Sequence, residues 1–291
     1  MQTIIPHLWY DTQAKEEAAF YTTLFEDSAI LETAILADTP SGDTELVHFK
    51  LAGMEFAAIS AGPYFKLNPA ISLAVSCNSK EEIDRKWQAF LDGGKVLMPL
   101  QAYPFQSYYG WIEDRYGLSW QLMLVPKSEN QIVPSLLFSQ EAWGKAYEAI
   151  SFYTELFHDA KINAASFYPE EAKEQAGKLQ FASFTLCNQA FTAMDHGLQG
   201  DFTFNEAFSL MVNCQTQEEI DYYWNALSAD PEAEQCGWLK DRFGVSWQIV
   251  YDKMNDLMYQ GTKEEVERVT QAFMEMKKLD IAVLEQARKG V

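Results

Sequence analysis

The chain repeats itself, and this duplication constrains its fold more than any other feature of the sequence. Three pairs of segments match in the same order: "FYTTLFEDSAI" (20–30) with "FYTELFHDAKI" (152–162), "NPAISLAVSCNSKEEIDRKW" (68–87) with "NEAFSLMVNCQTQEEIDYYW" (205–224), and "GWIEDRYGLSWQLM" (110–123) with "GWLKDRFGVSWQIV" (237–250). The second copy is shorter between its last two matching segments. One domain is therefore predicted to occur twice.

Length and composition agree with two globular domains. A chain of 291 residues suits two domains of roughly 100 to 150 residues each. Apolar residues make up 48% of the chain and aromatic residues 14%, which is enough for two packed cores and unlike a disordered chain.

Charge and cysteine content limit the partners and the compartment. The formal charge is −20, with 42 acidic against 22 basic residues, so nucleic acids and anionic membranes are disfavoured. No run of about 18 apolar residues is present, and the N-terminus lacks the pattern of a signal peptide. The four cysteines have no C-x-x-C spacing. We expect a cytoplasmic protein with reduced, mostly buried thiols.

The hydrophobic pattern of each half predicts two β-α-β-β-β units, four in the chain. In the first half it indicates a strand over 3–10, a helix over 14–26, a hairpin turn at Ala52-Gly53, a strand over 70–77, and a helix capped by Asn78 or Ser79 that ends at Gly93-Gly94. Three further short strands fit into 95–124.

The C-terminal segment has no counterpart in the first half. Apolar residues recur at steps of three and four from Val266 to Val283, with Thr262 as N-cap and Glu265 at the capping-box position. A long amphipathic helix over 262–290 is predicted. Its apolar stripe either docks on the sheets of its own chain or covers a subunit partner.

Paired β-α-β-β-β units with these motifs resemble the vicinal oxygen chelate superfamily of glyoxalases, bleomycin-resistance proteins and extradiol dioxygenases. "AKEEAAFYTTLFEDS", "GWIEDRYGLSWQL" and "RVTQAFMEMKKLDIAVLEQA" are similar to its PhnB-like branch, often labelled 3-demethylubiquinone-9 3-methyltransferase. The resemblance implies an α+β fold of tandem domains, each a curved mixed-sheet cup. The expected boundaries are 1–126 for the first domain, 127–133 for a linker, 134–255 for the second domain and 262–290 for the helix.

The methyltransferase label is not supported by the residues. A nucleotide-dependent methyltransferase usually has a glycine-rich turn after a strand. Gly93-Gly94 is better explained as the end of a helix.

The resemblance also implies where a metal would bind. By register, the ligand positions fall near Pro6 (His7 if the register slips by one), Ser60, Ala70 and Gln121, and near Pro134, Asp195, Ala207 and Gln248. Pro and Ala cannot bind a divalent ion, and glutamine stands where a metal-binding relative would have Glu. We therefore expect no metal and no cofactor.

The inward-facing side chains of the cups are the candidate ligand contacts. They are Trp9, Ser60, Trp111 and Gln121 in the first half, and Phe138, Asp195, Trp238 and Gln248 in the second. Aromatic rings with a few amides suit a planar or apolar small molecule. The same rings would equally suit a filled core.

Asp195 is the best catalytic candidate, because a carboxylate buried in an apolar cup could act as a general base. Three functions remain open: binding of a small molecule, a small-molecule enzyme of glyoxalase or dioxygenase type using Asp195 and Gln248, and a degenerate duplicate that serves association. We expect the two domains to pair within one chain as a pseudo-dimer. A homodimer is expected only if the tail helix or an edge strand is left uncovered.

Overall fold

The computed structural model describes residues 3–39, 42–127, 132–196 and 201–290. The strands are Ile4–Tyr10 (β1), Ala29–Thr39 (β2), Gly42–Leu51 (β3), Met54–Ser60 (β4), Ile71–Cys77 (β5), Lys95–Tyr103 (β6), Gln106–Glu113 (β7), Ser119–Leu124 (β8), Ile132–Phe138 (β9), Lys161–Phe167 (β10), Leu179–Leu186 (β11), Gln189–Asp195 (β12), Phe208–Cys214 (β13), Trp238–Lys240 (β14) and Ser246–Tyr251 (β15). The α-helices are Ala14–Thr22 (α1), Lys80–Leu91 (α2), Ala146–Leu156 (α3), Gln217–Leu227 (α4), Met254–Tyr259 (α5), Lys263–Met274 (α6) and Ile281–Lys289 (α7). No helix in these ranges is long and apolar enough to cross a membrane.

The strands form two mixed sheets, and each sheet takes strands from both repeats. Sheet A has the order β14-β15-β13-β1-β4-β3-β2, and sheet B has the order β10-β11-β12-β9-β5-β8-β7-β6. The repeats join through antiparallel pairs at the sheet centres, with β1 beside β13 and β5 beside β9. The predicted α+β fold of duplicated units is confirmed, and the two repeats are interleaved.

Local signals in the sequence predicted the turns and caps correctly. Ala52 and Gly53 both have positive φ, as a tight hairpin requires. Ser79 caps α2 by accepting the backbone N–H of Glu82. Gly93 follows α2 with φ +75°, which supports its role at a helix end. All four cysteines are unpaired.

Each sheet has a helix face and a cup face. On the helix face of sheet A, Phe49 and Phe56 stack at 5.4 Å beneath α1. On that of sheet B, Phe184 and Phe191 stack at 5.5 Å beneath α3. Because side chains alternate along a strand, every second residue points to the opposite, cup face. We call these two faces cup A and cup B.

The repeated "GW..DR.G.SW" stretch links α1 to the turn between β7 and β8. Asp114 Oδ1 accepts the backbone N–H groups of Tyr116 and Leu118. Its Oδ2 accepts the Tyr21 hydroxyl at 2.5 Å and the Trp120 indole N–H at 2.8 Å. Burial raises the pKa of Asp114 to about 6, and these hydrogen bonds oppose the rise.

The second copy of the stretch makes the same contacts. Asp241 accepts from the backbone of Phe243 and Val245, from the Tyr153 hydroxyl and from the Trp247 indole. The Tyr of each "FY..LF" motif therefore bonds the Asp of each "GW..DR.G.SW" motif. The two most conspicuous motifs of each half hold the fold together.

The C-terminal segment is helical as predicted, but it forms two helices instead of one. The capping box of Thr262 and Glu265 begins α6 as predicted. Asp280 begins α7 because its side chain accepts the N–H of Val283.

This segment replaces the strand that the shorter second repeat lacks. The N–H groups of Cys236 and Gly237, beside β14, donate to the carbonyls of Met276 and Lys277 at 2.7 Å each. Met258, Val269 and Leu284 form a separate apolar cluster, with Leu36 of β2 packed against it. The tail thus spans from one edge of sheet A to the other. Of the two alternatives for its apolar stripe, the structure shows the one in which the stripe docks on its own chain.

Candidate functional site

Cup A brings together side chains from both ends of the chain. His7 on β1 lies opposite Ser209 on β13, and Trp238 on β14 lies opposite Gln248 on β15. These positions alternate with buried residues of the helix face, so all four side chains lie in the cup. Trp9, two residues after His7, shares that face.

The two indoles of cup A meet across the sheet. Trp9 and Trp238 stand on strands three spacings apart, about 14 Å in a flat sheet, yet their ring centroids are 6.0 Å apart. His7 and Trp238 meet edge to face at 5.3 Å. Trp9 also contacts Phe65 at 5.1 Å. Curvature of the sheet and the length of the side chains bring these rings together, and both indoles keep partial exposure.

Two buried polar atoms of cup A, Nδ1 of His7 and Oγ of Ser246, lack hydrogen-bond partners within the described part of the chain. The amide Nε2 of Gln248 donates to Ser209 Oγ at 2.9 Å. Buried polar groups are nearly always paired, so an unpaired group in a native site points to a bound molecule or water. Burial lowers the pKa of His7 to about 3, and the imidazole is therefore neutral at physiological pH.

Cup B pairs the equivalent groups with one another. Tyr109 donates to Gln121 Oε1 at 2.8 Å, and Gln121 Nε2 donates to Ser72 Oγ at 2.7 Å. The Trp111 indole donates to Ser119 Oγ at 2.6 Å. The serine at the place of His7 is Ser135. Cup B therefore leaves fewer hydrogen-bonding groups for a ligand.

The structure places Asp195, Ser60 and Phe138 on the helix face, not in the cups as expected. Asp195 Oδ1 accepts the N–H groups of Gly144 and Ala146 at the start of α3. Its Oδ2 accepts the N–H of Leu179 at 2.9 Å. Burial raises the pKa of Asp195, and these three backbone bonds oppose the rise.

Ser60 has the same role in the other repeat, since its Oγ accepts the N–H of Ala14 at the start of α1. Phe138 lies beside Asp195 in the register and packs against Phe204 at 4.9 Å. A slip of one residue in the expected register accounts for all three errors, because it moves a side chain to the other face.

Asp195 and Gln248 cannot act on one molecule in one cup. Asp195 lies on β12 of sheet B and Gln248 on β15 of sheet A. Trp9, Trp238 and Gln248 come together in cup A, whereas Trp111 and Gln121 lie in cup B. We expected these site residues in one cup per repeat, whereas in the structure cup A combines site residues from both repeats.

The metal site of the superfamily does not fit the residues of cup A. The side chains that converge there are one imidazole, two hydroxyl groups and one amide, a poor set for a divalent ion. In the described ranges, no three His, Cys, Asp or Glu residues stand close enough to bind one.

His7 was considered only as the result of a register slip, and Ser209 and Ser246 were missed. The signal for His7 was present in the strand itself. Ile4, Leu8 and Tyr10 share one parity and are all buried. If the residues of that parity face the helices, then His7 and Trp9, which alternate with them along β1, face the cup.

Comparisons with known proteins agree with this architecture. The model of the 3-demethylubiquinone-9 3-methyltransferase family matches residues 2–123 and again 130–250. A PhnB protein from Bacillus cereus is 37% identical over 43% of this chain and 100% of its own, with a TM-score of 0.40. Glyoxalase I from Zea mays is 11% identical over 86% of this chain and 94% of its own, with a TM-score of 0.55, which shows a common fold. No curated protein matches.

The family match covers most of the chain, and it falls on the two repeats that interleave to form cups A and B. The chain therefore belongs to the 3-demethylubiquinone-9 3-methyltransferase family, the PhnB-like branch of the vicinal oxygen chelate superfamily, in a tandem form.

Proposed function

We propose that the chain binds one small, planar organic molecule in cup A without a metal ion. The observation that supports this most is a pair of buried atoms without hydrogen-bond partners in the described ranges, His7 Nδ1 and Ser246 Oγ, in the cup that also holds the amide of Gln248. The equivalent polar groups of cup B are largely paired with one another. A ligand that hydrogen-bonds these atoms would remove the cost of leaving them unpaired.

The surrounding side chains favour an aromatic, uncharged ligand. Trp9 and Trp238 offer partly exposed ring surfaces for stacking. His7 is neutral, so it provides no positive charge for an anion, and the chain's formal charge of −20 repels anions further. The cavity of about 320 Å³ beside α2 and one of about 10 Å³ lined by Ile71 and Phe208 both lie outside the cups, so this proposal requires space to open around the Trp9 and Trp238 indoles when the ligand binds.

Binding is favoured over catalysis by the same residues. Around the indoles the chain offers an imidazole whose low pKa makes it a weak base, and Asp195 is engaged at the start of α3. Methyl transfer has no support here, since Gly93-Gly94 follows a helix.

The proposal is tested by titrating the full chain with 7-amino-4-methylcoumarin, a neutral planar fluorophore with an amine donor and a carbonyl acceptor. We expect one site per chain, seen as a shift in coumarin emission and quenching of tryptophan fluorescence. Gln248→Leu should weaken binding about tenfold, since one hydrogen bond to the ligand is lost. Gln121→Leu, the equivalent change in cup B, should leave the affinity unchanged.

The two variants also define the results that would contradict the proposal. Equal affinity of wild type and Gln248→Leu would remove cup A as the site. An equal loss in both variants would mean that the probe reports overall stability. Binding that requires added Zn²⁺ or Ni²⁺ would overturn the metal-free site.

A further inference from the structure

A cavity of about 320 Å³ lies outside both cups, at the end of α1 and beside α2. Its lining comprises Phe25, Glu26, Ala52, Val75, Asn78, Glu82, Arg85 and Lys86. Ligand cavities for small molecules begin at about 300 Å³. The volume therefore suits a small metabolite.

A buried ion pair forms one wall of this cavity. The Lys86 side chain is 4% exposed, and its Nζ lies 2.6 Å from Glu82 Oε1 and 4.9 Å from the centre of the Phe25 ring. Glu82 Oε2 accepts the N–H of Asn78. Both oxygens of Glu82 are thus engaged, while the ammonium group of Lys86 has further N–H donors.

The remaining two charges of the cavity are opposite in sign. Arg85 and Glu26 are exposed, and neither has an ion-pair partner in the part of the chain that the structure describes. With Lys86 and Glu82 neutralising each other, a ligand meets one free guanidinium and one free carboxylate. Phe25, Ala52 and Val75 supply the apolar part of the lining.

The other repeat has different side chains at the equivalent positions. Its counterparts of Arg85 and Lys86 are Tyr222 and Tyr223, and Glu26 is replaced by His158. Tyr223 stacks on Phe157 at 5.0 Å, and the Tyr222 hydroxyl donates to the carbonyl of Leu156. The repeat with tyrosines at two of these positions therefore lacks the counterparts of Arg85, Lys86 and Glu26.

We propose that this cavity is a second binding site, for a small zwitterion with an apolar body, such as an apolar α-amino acid. Its carboxylate pairs with Arg85 and the spare donors of Lys86, its ammonium group pairs with Glu26, and its side chain packs on the apolar wall. A ligand with a single charge would leave one of the two free groups unmatched.

The test is saturation-transfer NMR on the full chain with L-phenylalanine as the probe. We expect transfer to the phenylalanine ring, and binding at least about tenfold weaker for hydrocinnamate, which lacks the ammonium group, and for phenethylamine, which lacks the carboxylate. The double variant Arg85→Tyr, Lys86→Tyr should lose the signal. It is expected to fold, because the second repeat already carries tyrosines at these positions.

Two further variants make the result decisive. Glu26→Gln changes an exposed side chain and should weaken L-phenylalanine by several-fold while hydrocinnamate is unaffected. Gln248→Leu, in cup A, should leave L-phenylalanine binding intact, which separates this site from the cup. Undiminished binding to the double tyrosine variant, equal binding of the three probes, or no saturation transfer from the wild-type protein to L-phenylalanine would each overturn the proposal.

Discussion

Gln248 in cup A and Gln121 in cup B stand at equivalent positions, and each donates to a serine on a neighbouring strand. In cup B the amide oxygen also accepts from Tyr109, whose counterpart in the other repeat is Cys236. Cys236 instead lies at the edge of sheet A, bonded to the tail. The lack of one strand in the second repeat thus accounts for both the different polar interior of cup A and the different edge of sheet A.

The largest difference between the cups is the tail, which only sheet A has. Val269→Asp would place a charge in the fully buried cluster of α5, α6 and α7, and should lower the free energy of unfolding by about 4 kcal/mol. Val283→Asp, at a position 43% exposed, should change it by less than about 0.5 kcal/mol. Urea unfolding measures both. Similar small effects would mean that sheet A does not depend on the tail.

The helix faces differ at Asp195 and Ser60. Asp195→Ala leaves three backbone N–H groups without an acceptor and should cost about 3 kcal/mol, whereas Ser60→Ala removes one bond and should cost about 1 kcal/mol. Thermal unfolding compares them. Coumarin binding should be unchanged in both variants, and a selective loss in Asp195→Ala would restore Asp195 as a site residue.

The cups should also differ in how much their glutamines contribute to stability. Gln121→Leu breaks two buried hydrogen bonds and should cost about 2 kcal/mol, whereas Gln248→Leu breaks one and should cost about 1 kcal/mol. The reverse order in urea unfolding would show that cup A is the more tightly bonded of the two.

The two repeats should also differ in how their stability depends on pH. The first repeat has Tyr10 and Glu17 where the second has Phe138 and Ala149. Burial raises the pKa of Glu17 well above 4.5, and the nearby charge of Asp114 raises it further. Between 4.5 and the raised pKa the folded chain holds a proton that the unfolded chain has lost. Stability should therefore fall by about 1.4 kcal/mol per pH unit as pH rises through that window.

The double variant Tyr10→Phe, Glu17→Ala gives this chain the residues of its second repeat. Subtracting its unfolding free energies from those of wild type at each pH gives the contribution of Tyr10 and Glu17, including the effect of the Glu17 charge on Asp114. A pH-independent difference would show that Glu17 has the same pKa in the folded and unfolded chains.

The elements of the fold were predictable because their signals are local. The hairpin at Ala52-Gly53, the cap at Ser79 and the capping box at Thr262 each depend on residues within a few positions. The break before α7 had a local signal too, in Asp280 three residues before Val283, and it was missed because the apolar spacing continues across it.

The interleaving of the sheets was not predictable from one sequence. The four units present equivalent strands, so β1 could pair with β5 or with β13 at similar local cost, and only contacts between distant residues decide. The predicted sheet faces of Ser60, Phe138 and Asp195 were wrong for a different reason. An alternating strand specifies which residues share a face, but not which face meets the helices.

Interleaving also sets the order in which the sheets can form during synthesis. Sheet B comes from one continuous stretch, 71–195, and can be complete before β13–β15 are synthesised. Sheet A needs β1 to find β13, some two hundred residues later, and its edge then waits for the tail. β1 can pair with β4 early, but its other edge stays open until β13 has been made, and that open edge must avoid pairing with other chains in the meantime.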